Sequence, residues 1–366
     1  MASTKSKEVI QPTQPKKRFP WKKAFLIGSV VLIALIISVA LFVFSRINSN
    51  VSKTFEGNAI DALVSTEPLQ KDKDGITNML IFGNSSDDPG HSGALLADSI
   101  MIVSINHTKN TSHTLSVPRD LWIEYGRACG NGAVGKINAY YQCVFKDVKD
   151  KKQASRAFAD MIGSIFGVPI QYYAEVNYTF VKDAVNAMDG VDVVIKSDDP
   201  RGILDRNFDR KCPNGPYTCY NVKYENGPAH LDGEHALYLA QARNAQGGYG
   251  LPQSNFDREV NQQLILQAMQ EKALSLGVLS NPAKVISLAD SLGNNITTNI
   301  PANQLRSAAD SLKKLGSKNM HSIRLNDPNN PLVTTGSLNG QSIVLPTAGL
   351  YSYDQLRSEV AKALTL

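Results

Sequence analysis

From Ala24 to Ser45 the chain reads AFLIGSVVLIALIISVALFVFS, 22 residues without a charged side chain. At about 1.5 Å per residue such a helix is about 33 Å long, enough to cross a hydrocarbon core of roughly 30 Å. A soluble helix of that length ordinarily keeps one polar face, so the run reads as a transmembrane helix. Lys16, Lys17, Arg18, Lys22 and Lys23 all precede it, which puts the N-terminus in the cytoplasm and the rest of the chain outside. A cleaved signal peptide is the rival reading. Its apolar region would be shorter, about 7–15 residues, and Ser38-Val39-Ala40 is a poor cleavage site. The expected organisation is a cytoplasmic tail over 1–23, a signal anchor over 24–45, a polar stalk over 46–75 and an extracytoplasmic domain over 76–366.

Charge follows the same division. The 366 residues carry a formal net charge of +5. Residues 1–46 hold eight positive side chains against Glu8 alone, and residues 47–366 hold 30 positive against 32 negative. The basicity belongs to the tail, and the body is almost neutral. That excludes a basic nucleic-acid-binding domain as the reason for the charge.

The four cysteines form two close pairs in the exported part, Cys129 with Cys143 and Cys212 with Cys219. Four cysteines allow three connectivities. Local pairing is preferred, because each pair borders a loop rich in Gly, Asn or Pro. A four-cysteine zinc site is the alternative, without the usual CxxC spacing. From Ile76 onward, apolar runs at 76–82, 99–105 and 111–117, with strands at 171–177 and 191–195, alternate with helical patterns near 154–166, 179–188, 232–240, 257–276, 302–315 and 353–364. This predicts an α/β fold: a single α-β-α ectodomain with a central mixed sheet flanked by helices.

Strands 99–105 and 111–117 flank the turn NHTKN and read as a hairpin. With Ile105 opposite Thr111, Asp98 falls opposite Pro118, beside Arg119. The plain reading is a surface salt bridge; the sharper one is a carboxylate for a hard cation beside a guanidinium for a phosphate. Gln241 and Arg243 share a face only if their stretch is extended. Arg258 and Gln262 share a face of the first turns of the long helix, whose N-terminus suits an anion. Ser254 and Asp257 give a weak capping-box signal there. Gly130-Asn131-Gly132-Ala133-Val134-Gly135 matches a dinucleotide fingerprint without the strand–turn–helix context it needs, and reads as a loop. Lys136, opening KINAYY, is a further candidate phosphate partner. Leu264, Ile265, Ala268 and Met269 form an apolar stripe suited to core or to lining a lipid groove.

The ordered set NMLIFG, LLADSIMIVSI, SVPRD, KINAYY, QYYAEVNYTFVKDAVNAMDGVDV, LDGEHALYLAQAR and FDREVNQQ, behind a transmembrane helix, resembles the LytR–CpsA–Psr family of bacterial envelope proteins. The resemblance implies a membrane-anchored phosphotransferase that moves a glycopolymer from a polyprenyl-pyrophosphate carrier to a peptidoglycan sugar hydroxyl, with Mg²⁺ or Mn²⁺ as cofactor. By position it implies Asp98 as metal-side carboxylate and Arg119, Arg243, Arg258 and Gln262 as pyrophosphate contacts, with Lys136 and Gln241 beside them. Asp87 or Asp88 would supply a second metal-side carboxylate, because Ser85 stands where an acidic residue is usual. Leu96, Gln241 and Asn261 each stand where the family carries arginine, and Asn255 stands for an aspartate. Those departures keep a second reading open, a polyprenyl-pyrophosphate-binding or regulatory protein with weakened turnover.

The topology has a direct test. In intact cells, a membrane-impermeant maleimide is expected to label Lys73→Cys and to reach Ser3→Cys only after permeabilisation. Labelling in the reverse order would overturn the orientation.

Overall fold

The computed structural model describes residues 66–87, 93–243, 247–275, 293, 295–315 and 319–365, all within one compact unit spanning Ile47–Leu366. The predicted signal anchor at 24–45 lies outside the described residues. Among those described, no helix is long and apolar enough to cross a membrane.

The central sheet is built first from β1 (Ile76–Gly83), β2 (Ser99–Asn106) and β3 (Thr111–Ser116). β2 runs antiparallel to both β1 and β3. A short hairpin follows, β4 (Trp122–Glu124) with β5 (Val134–Lys136), and leads directly into helix α1 (Ile137–Val148). The GxGxxG-like stretch is thus a hairpin loop running into β5, with Gly130 and Gly132 at positive φ, and not the opening of a helix. Helix α2 (Lys151–Phe166) starts at Asp150, whose carboxylate accepts the Gln153 N–H at 2.8 Å, and stops at Gly167 in the left-handed region. Strand β6 (Tyr172–Val176) then returns parallel to β1.

Beyond β6 come helix α3 (Tyr178–Ala187) and strand β7 (Val191–Ile195). A disulfide-closed excursion is bounded by β8 (Ile203–Leu204) and β9 (Lys223–Tyr224). Strand β10 (Gly227–Leu231) pairs antiparallel with β7 and feeds helix α4 (Gly233–Gln241). The LDGEHAL segment explains itself here: Asp232 caps α4 by accepting the His235 N–H. A Cβ on Gly233 would lie 2.1 Å from the Lys182 carbonyl oxygen, so only glycine lets α4 close on α3. The long helix α5 (Asn255–Ser275) follows, then β11 (Ile296–Thr298), α6 (Leu305–Leu315), β12 (Met320–Ile323), the hairpin β13 (Val333–Leu338) with β14 (Gln341–Pro346), and α7 (Asp354–Thr365). The completed sheet has the order β11-β6-β1-β2-β3-β12. It is mixed, as expected.

Two cores hold this together. On one sheet face, Leu80, Phe82, Ile102 and Leu115 meet Tyr141 of α1, Phe158 and Ile162 of α2, and Leu356, Val360 and Leu364 of α7. The helix positions recur at the three- and four-residue spacing that makes one face apolar. A second core joins β7 to α4 and α5. It contains Ile265 and Ala268, with Leu264 and Met269 against it, so the stripe read as a possible lipid lining is core. Leu69 is buried with Tyr172, and the Gln70 N–H donates to the Tyr172 hydroxyl at 2.8 Å, so the last residues of the predicted stalk pack onto the body. Both cysteine pairs are disulfides, Cys129–Cys143 and Cys212–Cys219. The first ties the hairpin loop to α1.

Phe158 is fully buried and meets Phe82 edge-on, 5.0 Å between ring centroids. Truncation there leaves a cavity between sheet and helix. Phe158→Ala is expected to cost about 3–5 kcal/mol, read as a lower denaturant midpoint at unchanged slope.

Candidate functional site

The site begins with strand register. Residues 106 and 111 pair directly, so β2 and β3 are joined by four residues, one fewer than the sequence reading assumed. The physical cause is Asn106, whose side-chain oxygen accepts the N–H groups of Thr108 and Lys109 and tightens the turn. Continued to the far end of the hairpin, this register sets Asp98 opposite Arg119 itself and not Pro118. There Arg119 Nη1 donates to Asp98 Oδ1 at 2.5 Å. The backbone reinforces the arrangement: the Asp98 N–H donates to the Gly83 carbonyl, and the Arg119 carbonyl accepts from the Asn138 N–H of α1.

Asp120, adjacent in SVPRD, is a second node that the sequence reading left unassigned. Its Oδ1 accepts Lys136 Nζ at 2.7 Å, and its Oδ2 accepts Asn255 Nδ2 at 2.7 Å. The end of β3, the end of β5 and the start of α5 are therefore pinned to one carboxylate. Asp257 also serves the start of α5, accepting the Gln253 N–H. From the first turns of α5, Arg258 is brought within electrostatic reach of Arg119, Asp98 and Arg243. It is only 6% exposed. Burial first, and the neighbouring Arg119 second, pull its pKa down to about 10, which still leaves it cationic at neutral pH. Gln262 approaches the same strand end, where its Oε1 accepts the Ser99 hydroxyl at 3.0 Å.

Arg243 is held by a residue that gave no signal in the sequence. Asp205, fully buried, accepts the Arg243 N–H at 2.8 Å and the Asn207 N–H at 2.9 Å. The disulfide-closed excursion thereby fixes the chain at Arg243. Gln241 closes α4 two residues earlier and hydrogen-bonds to none of these groups. Asp87 is engaged at the start of α3. Its two carboxylate oxygens accept the Tyr178 and Thr179 N–H groups, at 3.3 and 2.6 Å. It caps α3, where a carboxylate complements the helix dipole; Asp88 lies outside the described residues.

The arrangement is short of negative charge. Among the described residues, Arg119, Lys136, Arg243 and Arg258 meet three carboxylates, Asp98 on Arg119, Asp120 on Lys136 and Asp205 at the Arg243 backbone, an excess of one cation. Glu259 does not correct this, since burial pushes its carboxyl up to about 8. Several donors also lack partners: Arg119 Nε, Arg258 Nε and Asn261 Nδ2 are buried and make no hydrogen bond. Unpaired buried donors beside surplus positive charge are what an anionic ligand satisfies. For a divalent cation, Asp98 offers Oδ2, which makes no hydrogen bond to the described residues. Magnesium is commonly held by one or two carboxylates and the oxygens of substrate phosphates, and this donor fits that habit. Among the described residues, three potential metal ligands meet only at Asp209, Cys212 and Cys219, where both sulfurs are spent in a disulfide.

A family model described as the LytR_cpsA_psr family matches residues 41–348. The polyisoprenyl-teichoic acid–peptidoglycan teichoic acid transferase TagU of Bacillus mycoides (strain KBAB4) is 28% identical over 298 residues, covering 78% of this chain and 82% of the relative. The like-named TagV of Bacillus subtilis (strain 168) is 28% identical over 204 residues, 56% of this chain and 45% of the relative. Among solved structures, B. subtilis TagV aligns with a TM-score of 0.56 at 22% identity, over 80% of this chain and 99% of that one. A structure of TagT bound to LIIa-WTA aligns with a TM-score of 0.56 at 21% identity, over 82% and 94%. At such identities these structures speak for the fold.

Glu259 gives the cluster a pH dependence with a definite sign. Its carboxyl is neutral below about 8, and above that it ionises beside Arg258 and Asp120, removing one surplus positive charge. Affinity for inorganic pyrophosphate is expected to fall roughly threefold to tenfold between pH 7 and 9 at low salt, and Glu259→Gln to abolish that fall in a titration calorimeter. Because the folded-state value is raised, the stability it contributes is present at low pH and lost as pH rises through about 8. Glu259→Gln should therefore raise the Tm at pH 9 more than at pH 5.

Proposed function

This chain belongs to the LytR–CpsA–Psr family, and from that premise we propose that it transfers a glycopolymer from a polyprenyl-pyrophosphate carrier to a hydroxyl of a peptidoglycan sugar, at the outer face of the membrane to which residues 24–45 anchor it. The observation that carries the reading is the gathering of Arg119, Asp98 and Arg243 around the buried Arg258, with more cations than carboxylates and with buried donors unpaired. A pyrophosphate supplies the missing charge and the missing acceptors. The relatives named for teichoic acid transfer to peptidoglycan set the reaction class.

Transfer of a phosphoryl group depends on in-line placement and on stabilising charge at the phosphate oxygens. Arg119, braced by Asp98, presents its remaining N–H groups to one phosphate. Arg258 is partly desolvated, and low local dielectric strengthens its hold on a phosphate oxygen. Arg243, fixed through Asp205, closes the other side, and Gln262 has amide N–H groups left to donate. Bound at Asp98, a magnesium ion supplies further counter-charge to the pyrophosphate oxygens. The polyprenyl tail needs an apolar surface. On the sheet face opposite the main core, the half-buried Ile81 and Val103 offer such surface beside the buried Met101 and Ile105.

The absence of arginine at Leu96, Gln241 and Asn261 keeps binding without turnover as the second reading. A transfer assay with a lipid-linked glycan and peptidoglycan oligomers, with magnesium and with chelator, separates the two. Wild type is expected to transfer, and Arg119→Ala or Arg258→Ala to lower kcat/KM by about 10²–10³-fold. Binding of polyprenyl pyrophosphate with no transfer would establish the second reading. Unchanged binding and transfer in Arg119→Ala would overturn the site.

A further inference from the structure

A cleft of 440 Å³ opens to solvent from the edge of the charge cluster, within the range of about 300–1,000 Å³ usual for small-molecule sites. Arg119 and Asp120 form one end. Trp122 and Val134 of the β4–β5 hairpin, Leu96 ahead of β2, Lys136 and Gln341 complete its walls. We propose that this cleft seats the pyranose ring of the acceptor glycan, with its attacking hydroxyl held by Asp120. The proposal rests on the phosphate reading of Arg119 and names what stands across from it.

Charge is the first argument. Lys136 and Asp120 neutralise each other at 2.7 Å, so the cleft lacks the positive excess found around Arg243 and Arg258. Leu96 adds apolar surface to its wall. A pyranose has that mixed character, with C–H faces for Leu96, Trp122 and Val134 and hydroxyls for Lys136 and Gln341. A neutral sugar suits such walls better than a phosphate does.

Geometry is the second argument. Each Asp120 oxygen accepts one hydrogen bond, from Lys136 or from Asn255, and a carboxylate oxygen has capacity for another. Asp120 Oδ2 lies 3.8 Å from Arg119 Nε. A hydroxyl bonded to Asp120 therefore sits beside the guanidinium assigned to the phosphate. In the step, the acceptor oxygen bonds to the phosphorus that bears the glycopolymer. The bridging P–O bond breaks, polyprenyl phosphate leaves with that electron pair, and the hydroxyl proton passes to Asp120. Openness is the third argument. Neighbouring sugars of a polymeric acceptor must leave the ring in the cleft on both sides, and a closed pocket would not permit it. The Cys129–Cys143 disulfide holds the hairpin wall against α1.

Val134 is 45% exposed, so Val134→Trp fills the cleft from its rim without disturbing the core. The probes are a tetrasaccharide of alternating N-acetylglucosamine and N-acetylmuramic acid, and polyprenyl pyrophosphate carrying one sugar. Val134→Trp is expected to weaken tetrasaccharide binding and raise its KM by about tenfold or more, with lipid-probe affinity unchanged within about twofold. Asp120→Asn is expected to retain tetrasaccharide binding within about threefold while kcat falls about 10²-fold or more, with Tm followed as the control for folding. Equal tetrasaccharide binding in Val134→Trp, or none in wild type, would overturn the proposal. So would a parallel loss of the lipid probe, which would give the cleft to the donor sugar. Failure of wild type to bind the lipid probe at all would instead remove the proposed function, and the tetrasaccharide arm would still read the cleft by itself.

Discussion

The ion pair between Asp98 and Arg119 depends on a hydrogen-bonded register set at the opposite end of a hairpin. Asn106 tightens the β2–β3 turn, and every pairing between Asn106–Thr111 and Met101–Ser116 follows from it. A slip of one residue would turn each side chain of β3 to the other face of the sheet. Leu115 would leave the main core, and Arg119 would leave Asp98. Fold and site therefore share one constraint. The core that fixes the register is what holds the guanidinium in place.

Around that pair the protein keeps positive charge in excess by spending its carboxylates elsewhere. Asp87 caps α3, Asp205 holds the backbone at Arg243, Asp257 serves the start of α5, and the Glu259 carboxyl is pushed up by burial. Asp87, Asp205 and Asp257 are spent on backbone N–H groups, and Glu259 stays neutral near pH 7. In a body with slightly more acidic than basic residues, this distribution is what produces a cationic site. It also accounts for the buried donors left unpaired, which cost stability and gain partners when an anion arrives.

Much of the fold was legible because its signals are local. The runs at 76–82 and 99–105 are too continuous in apolar residues for surface strands. The helical patterns near 154–166 and 232–240 fall on α2 and α4, whose starts the structure fixes at Asp150 and Asp232. The cysteine pairs are each close enough in sequence to close small loops. The β4–β5 hairpin and β10 were not read, being short and set in Gly-rich stretches where periodicity has nothing to act on. The stripe on α5 was ambiguous for a related reason: the same Leu, Ile, Ala and Met residues serve a core or a lipid groove, and only the neighbours β7 and α4 decide.

In the site the division is sharper. Sequence alone determined which residue types were available: Asp98 and Arg119 at strand ends, Arg258 and Gln262 one helical turn apart, Arg243 after α4, and an apolar run of membrane-spanning length at 24–45. Family resemblance assigned them roles. Tertiary structure decided which of them meet. It set Asp87 on the start of α3, brought Asp120 to both Lys136 and Asn255, and introduced Asp205 beneath Arg243 from 38 residues away. Contacts of that kind depend on the docking of whole helices and strands, an outcome of packing that no local pattern of residues encodes.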